Sequence, residues 1–208
     1  MVSLNEMIDG AWIEGEQLTK PGSKFVEQLA DLMNELHTMW GMDEYMENAL
    51  YRKEWILNDM HDMVYALEPV DDFTENAILE FHEIKHELNK YVPIHGDLWR
   101  QNIRVDESGN LTGIIDWDRK SLGDPHWDFR MIRRWIGWDG LDKLLFLYNC
   151  STGFNCKREY VEVLDKISLC HSLRIRRERG LLRHDKPDAI KLFENYKKTW
   201  PTSSTSPL

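Results

Sequence analysis

Between Gly22 and Trp40 the apolar residues Phe25, Leu29, Leu32, Met33, Leu36 and Trp40 recur at three- and four-residue spacing. One apolar stripe per 3.6-residue turn predicts an amphipathic helix, with Gly41 as its stop. From Asp43 to Ala66 the pattern is helical but ragged, anchored by Trp55, Ile56, Met60, Met63 and Val64. Glu68-Pro69-Val70-Asp71-Asp72 reads as a linker, because proline breaks a helix. Ala77, Ile78, Phe81, Ile84 and Leu88 then predict a further helix from about Thr74 to Lys90. The period shortens after that: a strand is expected over Tyr91 to Ile94. Ile103 and Val105 alternate with polar neighbours, Asp106 to Asn110 is turn-forming, and Leu111 to Ile115 is apolar, which together predict a β-hairpin. Beyond Asp128 the pattern is helical to about Trp200, broken near Gly137–Gly140, Gly153 and Lys186-Pro187. The Ser-, Thr- and Pro-rich residues 201–208 are expected to form a disordered tail. No internal repeat is present.

Two segments on this framework carry chemistry. The first is His95-Gly96-Asp97-Leu98-Trp99-Arg100-Gln101-Asn102, a loop after a strand with an Asp and an Asn five residues apart. The second is Ile114-Ile115-Asp116-Trp117-Asp118, an acidic residue at the end of an apolar strand. Phosphoryl transfer from ATP needs a carboxylate to orient the attacking hydroxyl and oxygen ligands to hold Mg²⁺ on the phosphates. Asp97 suits the first task. Asn102 and Asp116 suit the second, since Mg²⁺ prefers hard oxygen donors. The hairpin brings Asn102 and Asp116 together although fourteen residues separate them. The competing account is ordinary turn chemistry, in which Asp and Asn side chains bond nearby backbone groups.

At these residues the chain resembles the aminoglycoside phosphotransferase and choline kinase superfamily, whose catalytic loop reads H-G-D-x-x-x-x-N and is a relative of the protein-kinase loop. The likeness continues through Gly123-Asp124-Pro125-His126-Trp127-Asp128, which matches G-D-P-x-x-D. The resemblance implies an α+β, mainly α, protein-kinase-like C-terminal lobe. That lobe is a helical bundle with a small β-hairpin carrying the catalytic and metal loops, and the strand-rich N-terminal lobe is absent. Residues 1–17 would be a hinge-like segment, 18–200 the lobe and 201–208 the tail. The resemblance also implies roles: Asp97 as base, His95 in the catalytic set as the brace of its loop, Asn102 and Asp116 on Mg²⁺. Asp124 and Asp128 would support the catalytic loop through backbone hydrogen bonds. Arg100 departs from the small residue or proline of many relatives and is expected either to steady a phosphate of the cofactor or to pair with a surface acid. Trp99 and Asp118 are candidates for the substrate side, Trp99 by stacking on a cation, with core packing and a solvated hairpin end as the alternatives. His37, in a Leu-His sequence typical of the family's first helix, is expected to pack or hydrogen-bond.

Composition narrows the partners. A net charge of −10 over 208 residues argues against nucleic acid and suits a cationic small molecule, though acidic charge also simply keeps a protein in solution. The apolar runs fall well short of the ~20 residues that span a bilayer. The N-terminus lacks a signal-peptide pattern, so a cytoplasmic location is expected. Cys150, Cys156 and Cys170 form no C-x-x-C pair and are expected to be free thiols.

Two other motifs compete. His82-Glu83-Ile84-Lys85-His86 matches H-E-x-x-H, which on a helix places two imidazoles on one face for zinc. The longer form fails, with Asn89 and Val92 at its glycine and last histidine positions. Arg174-Ile175-Arg176-Arg177-Glu178-Arg179 is basic, but reads as a helix face with interleaved acids. No G-x-G-x-x-G loop or Val-Ala-Ile-Lys-like strand occurs, and those elements cover nucleotide phosphates in kinases. Three explanations stand open: a fragment, a nucleotide lobe supplied in trans, or a pseudo-kinase that binds without catalysis.

Overall fold

The computed structural model of the chain describes residues 16–17, 21–39, 72–178 and 198. The first helix, α1, spans Phe25–Thr38 and buries Phe25, Leu29, Leu32, Met33, Leu36 and His37 along the expected stripe. It ends before the expected Gly41 stop because Met39 turns extended (φ −69°, ψ 106°) and the Thr38 hydroxyl bonds back to the Asn34 carbonyl at 2.6 Å. The second helix, α2, covers Asp72–Ile84, shorter than the expected Thr74–Lys90. A tighter bond from Glu87 N to Ile84 O, at 2.8 Å, closes it. His86 therefore stands beyond the regular helix. Among the described residues no group of three or more His, Cys, Asp or Glu side chains could hold a metal ion.

Strand β2 is Val92–Ile94, and the hairpin is β3, Ile103–Val105, with β4, Leu111–Ile114. Asp106 shapes the turn between them: its carboxylate accepts from the backbone N–H of Ser108 and Asn110 at 2.9 and 2.8 Å. The hairpin register sets Ile103 opposite Ile114 and Val105 opposite Leu111, with a bulge at Arg104/Val105. Two pairings were not legible in the hydrophobic pattern. Glu16–Gln17 forms strand β1 against β3, and Ser121–Gly123 forms β5, antiparallel to β2 with Ile94 opposite Ser121. Each is too short to show a period of two. The second one matters for the site, because it brings the end of the segment 116–123 beside the start of the loop 95–102.

The chain continues through α3, His126–Phe129, α4, Arg133–Thr152, and α5, Arg158–Glu178. The expected breaks fall inside and after α4: Gly137 is non-helical, and Gly153 caps the helix in the left-handed conformation at φ 71°. Gly153 N donates to Asn149 O at 2.9 Å, a common helix end because glycine enters that region without steric cost.

Two apolar clusters form the core. One joins α1, the hairpin and α4 through Phe25, Leu36, Leu98, Ile114, Phe129 and Tyr148. The other joins α2, β2 and α5 through Phe81, Ile94, Trp127 and Ile167, and Phe154 packs against both. The loop 95–102 is strung between them. No helix among the described residues is long and apolar enough to cross a membrane. The expected hinge residues 1–15, ragged helix 43–66, the stretch 179–197 and the tail 201–208 lie outside the described residues.

Candidate functional site

The loop from His95 to Asn102 is fixed from behind by one carboxylate. Asp128, fully buried on α3, accepts from His95 N and Gly96 N at 2.8 Å each. Its Oδ2 also accepts from His37 Nε2 at 3.2 Å, and His37 Nδ1 lies 2.8 Å from the Tyr148 hydroxyl. Burial, the largest influence, pushes the Asp128 carboxyl up. The His37 hydrogen bond and charge, with His95, outweigh it and hold the pKa below the ordinary carboxylate value. Burial drives the Tyr148 phenol well above its usual range, so it stays neutral. Tyr148, His37 and Asp128 thus form a buried chain from α4 through α1 to the loop backbone.

His95 links the two chemical segments. Its Nε2 is 3.0 Å from Ile115 O, and its Nδ1 is 3.3 Å from Asp97 N. A carbonyl needs a donor and an N–H needs an acceptor, so the two partners require the neutral Nε2–H tautomer. Burial lowers the His95 pKa in the same sense, against the raising influence of Asp128. The Trp117 ring closes over the imidazole at 4.6 Å in an edge arrangement.

Asn102, buried at the end of the 3₁₀ turn Arg100–Asn102, donates from Nδ2 to Asp97 O at 2.9 Å. Its own carbonyl accepts from Ile115 N at 2.9 Å. Both peptide groups of Ile115 are therefore bonded to the loop 95–102, and the next residue is Asp116. Asp116 is exposed and adopts the left-handed conformation, φ 65° and ψ 66°. Only glycine, Asn and Asp visit that region routinely. The backbone leading into Asp116 is thereby held against the loop that carries Asp97 and Asn102.

Gly96 has φ +81°, and a Cβ there would lie 2.2 Å from the Arg119 carbonyl oxygen. The 3₁₀ turn Trp117–Arg119 thus packs directly on the backbone of the loop 95–102. On the opposite side Gly96 O accepts from Trp127 Nε1 at 3.0 Å and from Arg130 Nη2 at 3.2 Å. Arg130 is buried, its Nη1 donates to Trp127 O at 2.6 Å, and Nη2 lies 3.9 Å from Asp97 Oδ1. Burial lowers the guanidinium to about 10, with Asp128 and Asp97 opposing the shift, so it is charged at neutral pH. Asp124 serves the preceding strand: it accepts from Lys90 N at 3.2 Å and from His126 N at 3.1 Å. His126 Nδ1 bonds Asp124 at 2.5 Å while its Nε2 accepts from Lys157 N at 2.9 Å.

The other sequence candidates lie at the rim. Trp99 is half-buried and Arg100 exposed at the start of the 3₁₀ turn, and Asp118 is exposed in the Trp117–Arg119 turn. Arg130 and Tyr148 are the site neighbours that sequence reasoning missed. Arg130 lay two residues past the G-D-P-x-x-D motif, a signal visible once that motif is taken to wrap the loop. Tyr148 carried no signal apart from an apolar helix face.

Comparison with known proteins agrees with this architecture. The phosphotransferase enzyme family matches residues 3–154. The uncharacterized protein YcbJ of Bacillus subtilis (strain 168) is 25% identical over 154 residues, 64% of this chain and 45% of that protein. Among solved structures, the GDP complex of aminoglycoside 2'-phosphotransferase-IIIa superposes with a TM-score of 0.62 at 19% identity, covering 90% of this chain and 69% of that one. Macrolide 2'-phosphotransferase type I gives 0.59 at 17% identity, over 81% of this chain and 60% of that one. Choline kinase LicA from Streptococcus pneumoniae gives 0.54 at 18% identity, over 90% and 68%. The chain therefore spans less than half of the curated relative and 60–69% of these solved structures. At these identities the structural likeness speaks to the fold, which is that of the protein-kinase-like superfamily. With the family matched over most of its length, the chain belongs to the phosphotransferase enzyme family.

Proposed function

We propose that this chain is the metal- and acceptor-bearing lobe of an ATP-dependent phosphotransferase acting on a hydroxyl of a small molecule. The observation that carries the proposal is the double tie of Ile115 to the loop 95–102, at 2.9 and 3.0 Å, which draws Asp116 toward Asn102 and Asp97. Asn102 fits a hard cation: Nδ2 is spent on Asp97 O, and its amide oxygen is the kind of donor such a cation takes together with the Asp116 carboxylate. Mg²⁺ bound there would neutralise charge on the nucleotide phosphates. Asp97 would orient the acceptor hydroxyl. As the new O–P bond forms and the bond to the ADP oxygen breaks, the hydroxyl proton passes to the Asp97 carboxylate.

The net charge of −10 supports a cationic acceptor. The phosphate-covering glycine loop and strand lysine that protein kinases use have no counterpart motif in the sequence. We assign that task to a second lobe, whether in cis or in trans.

The test is titration calorimetry of Mg-ATP, and of Mg-GTP as a second donor, into the chain beside Asp116→Ala. Binding that disappears in the variant is expected. Binding that survives Asp116→Ala unchanged refutes the metal assignment. Phosphate transfer to kanamycin, choline or a macrolide is then followed with the lobe-complete protein, where Asp97→Asn must lower kcat by orders of magnitude to a small residual rate.

A further inference from the structure

Arg130 is an awkward residue to bury. Its guanidinium is charged at neutral pH, and its Nε has no hydrogen-bond partner among the described residues. A buried charge kept for stability alone is commonly replaceable by an apolar side chain at no loss. Here the planar fork is instead aimed at the catalytic loop. Nη1 holds Trp127 O at 2.6 Å, Nη2 holds Gly96 O at 3.2 Å, and the same Nη2 faces Asp97 Oδ1 at 3.9 Å. The guanidinium stacks over the Trp127 ring at 4.0 Å, and Trp127 Nε1 bonds the same Gly96 carbonyl. One rigid unit thus grips the peptide that precedes Asp97 and places a cation beside its carboxylate.

We propose that Arg130 is a positioning residue for Asp97, holding the carboxylate in a fixed orientation through the paired grip on Gly96 O and the charge contact at Oδ1. The catalytic part of this role rests on the phosphotransferase reading above. The contact itself does not. Asp97 is about one-third exposed at its side chain while Arg130 is buried, so the cation approaches the carboxylate from the protein side and leaves the open side for an acceptor hydroxyl. The value of the contact lies in orientation: a carboxylate displaced by about 1 Å loses on the order of 100-fold in rate.

Two double-mutant cycles test the proposal, one in melting temperature and one in turnover, on wild type, Arg130→Met, Asp97→Asn and the double variant. If Arg130 acts through Asp97, melting shifts are non-additive. In the lobe-complete protein, Arg130→Met lowers kcat on the order of 10- to 100-fold with the KM for Mg-ATP nearly unchanged. The same change in the Asp97→Asn background costs little further, and Arg130→Lys restores part of the loss. A purely structural arginine would give effects that multiply in full and a KM that moves with kcat, and either overturns the proposal. Should Arg130→Met fail to fold, Arg130→Lys carries both cycles. A wild type silent with ATP and GTP toward every probe acceptor refutes the phosphotransferase reading. In that case additive melting shifts also overturn the Arg130–Asp97 contact, and non-additive shifts uphold it.

Discussion

Replacing Gly96 with alanine separates two costs that usually arrive together. At φ +81° the new side chain enters the left-handed region, which costs an L-residue about 1–2 kcal/mol. Its Cβ would also stand 2.2 Å from the Arg119 carbonyl oxygen and 3.1 Å from the carbon behind it. Backbone cannot rotate away as a side-chain tip can, so the turn 117–119 or the loop 95–97 must shift, at a further cost of about 1–3 kcal/mol typical of overpacking. The sum predicts a loss of about 2–5 kcal/mol for Gly96→Ala. Gly153→Ala is the control: φ is +71°, but nothing lies within 4 Å of its Cβ. It should lose only the conformational part, about 1–2 kcal/mol. Urea unfolding followed by far-UV circular dichroism measures both, provided the m-values agree. Equal losses for the two variants would show that the Gly96–Arg119 contact is not tight, and would refute the inference that the turn 117–119 is clamped on the loop 95–102. A Gly96→Ala variant as stable as wild type would refute the backbone conformation itself.

Other outcomes follow from the same geometry. Tyr148→Phe strands the buried His37 Nδ1 and should cost about 1–3 kcal/mol in chemical denaturation, more than an exposed Tyr→Phe change. Asn102→Asp replaces the Nδ2 donor with an oxygen facing Asp97 O, and should cost about 1–3 kcal/mol and weaken Mg²⁺-nucleotide binding in calorimetry. Asp165, fully buried, accepts from Arg133 Nε and Arg134 Nε at 2.7 Å each; Asp165→Ala leaves two arginines without it and should lose about 3–5 kcal/mol. Stability should fall with acid in two stages. His95 has a folded pKa below its unfolded value of about 6.5, so the unfolded chain binds the proton first and stability declines as pH drops below that value. Asp128 contributes stability above the ordinary carboxylate pKa of about 3.9 and loses it as pH falls through its lower folded value. Melting curves against pH should lose the first stage in His95→Gln and the second in Asp128→Asn, and a wild-type profile flat from pH 7 to 5 would refute the His95 account.

Periodicity revealed what periodicity can encode. The stripe Phe25 to Leu36 forecast α1 because a core-facing helix must repeat its apolar residues, and the hairpin was legible because Asp106 to Asn110 brackets alternating strands. Where the forecast slipped, the reason is a local bond with no pattern: α2 ends near Ile84 although Leu88 still fits the stripe and is still buried, because the chain tightens there and Leu88 reaches the core from outside the helix. Strands β1 and β5 have two and three residues, and a period needs more than one repeat. They are recognisable only from their partners in the sheet.

The site divides in the same way. Asp97, Asn102 and Asp116 stood out in the sequence because they fall in motifs whose order and spacing resemble those of a known family. Among the groups that hold their backbone, His95, Asp128 and His37 were expected, whereas Arg130 and Tyr148 were not, because support is a matter of distance in space: His37 and Tyr148 are 111 residues apart and meet at 2.8 Å. The net charge of −10 is a guide to the solvent and says nothing of this interior, where Arg130, Arg133 and Arg134 are matched against Asp97, Asp128 and Asp165. In a medium of low dielectric each of those charges must be met individually. It follows that a substitution which leaves total charge unchanged but reverses one such pair, such as exchanging Arg130 and Asp128, should damage the fold far more than a comparable exchange between Lys143 and Glu27, whose ion pair is solvent-exposed.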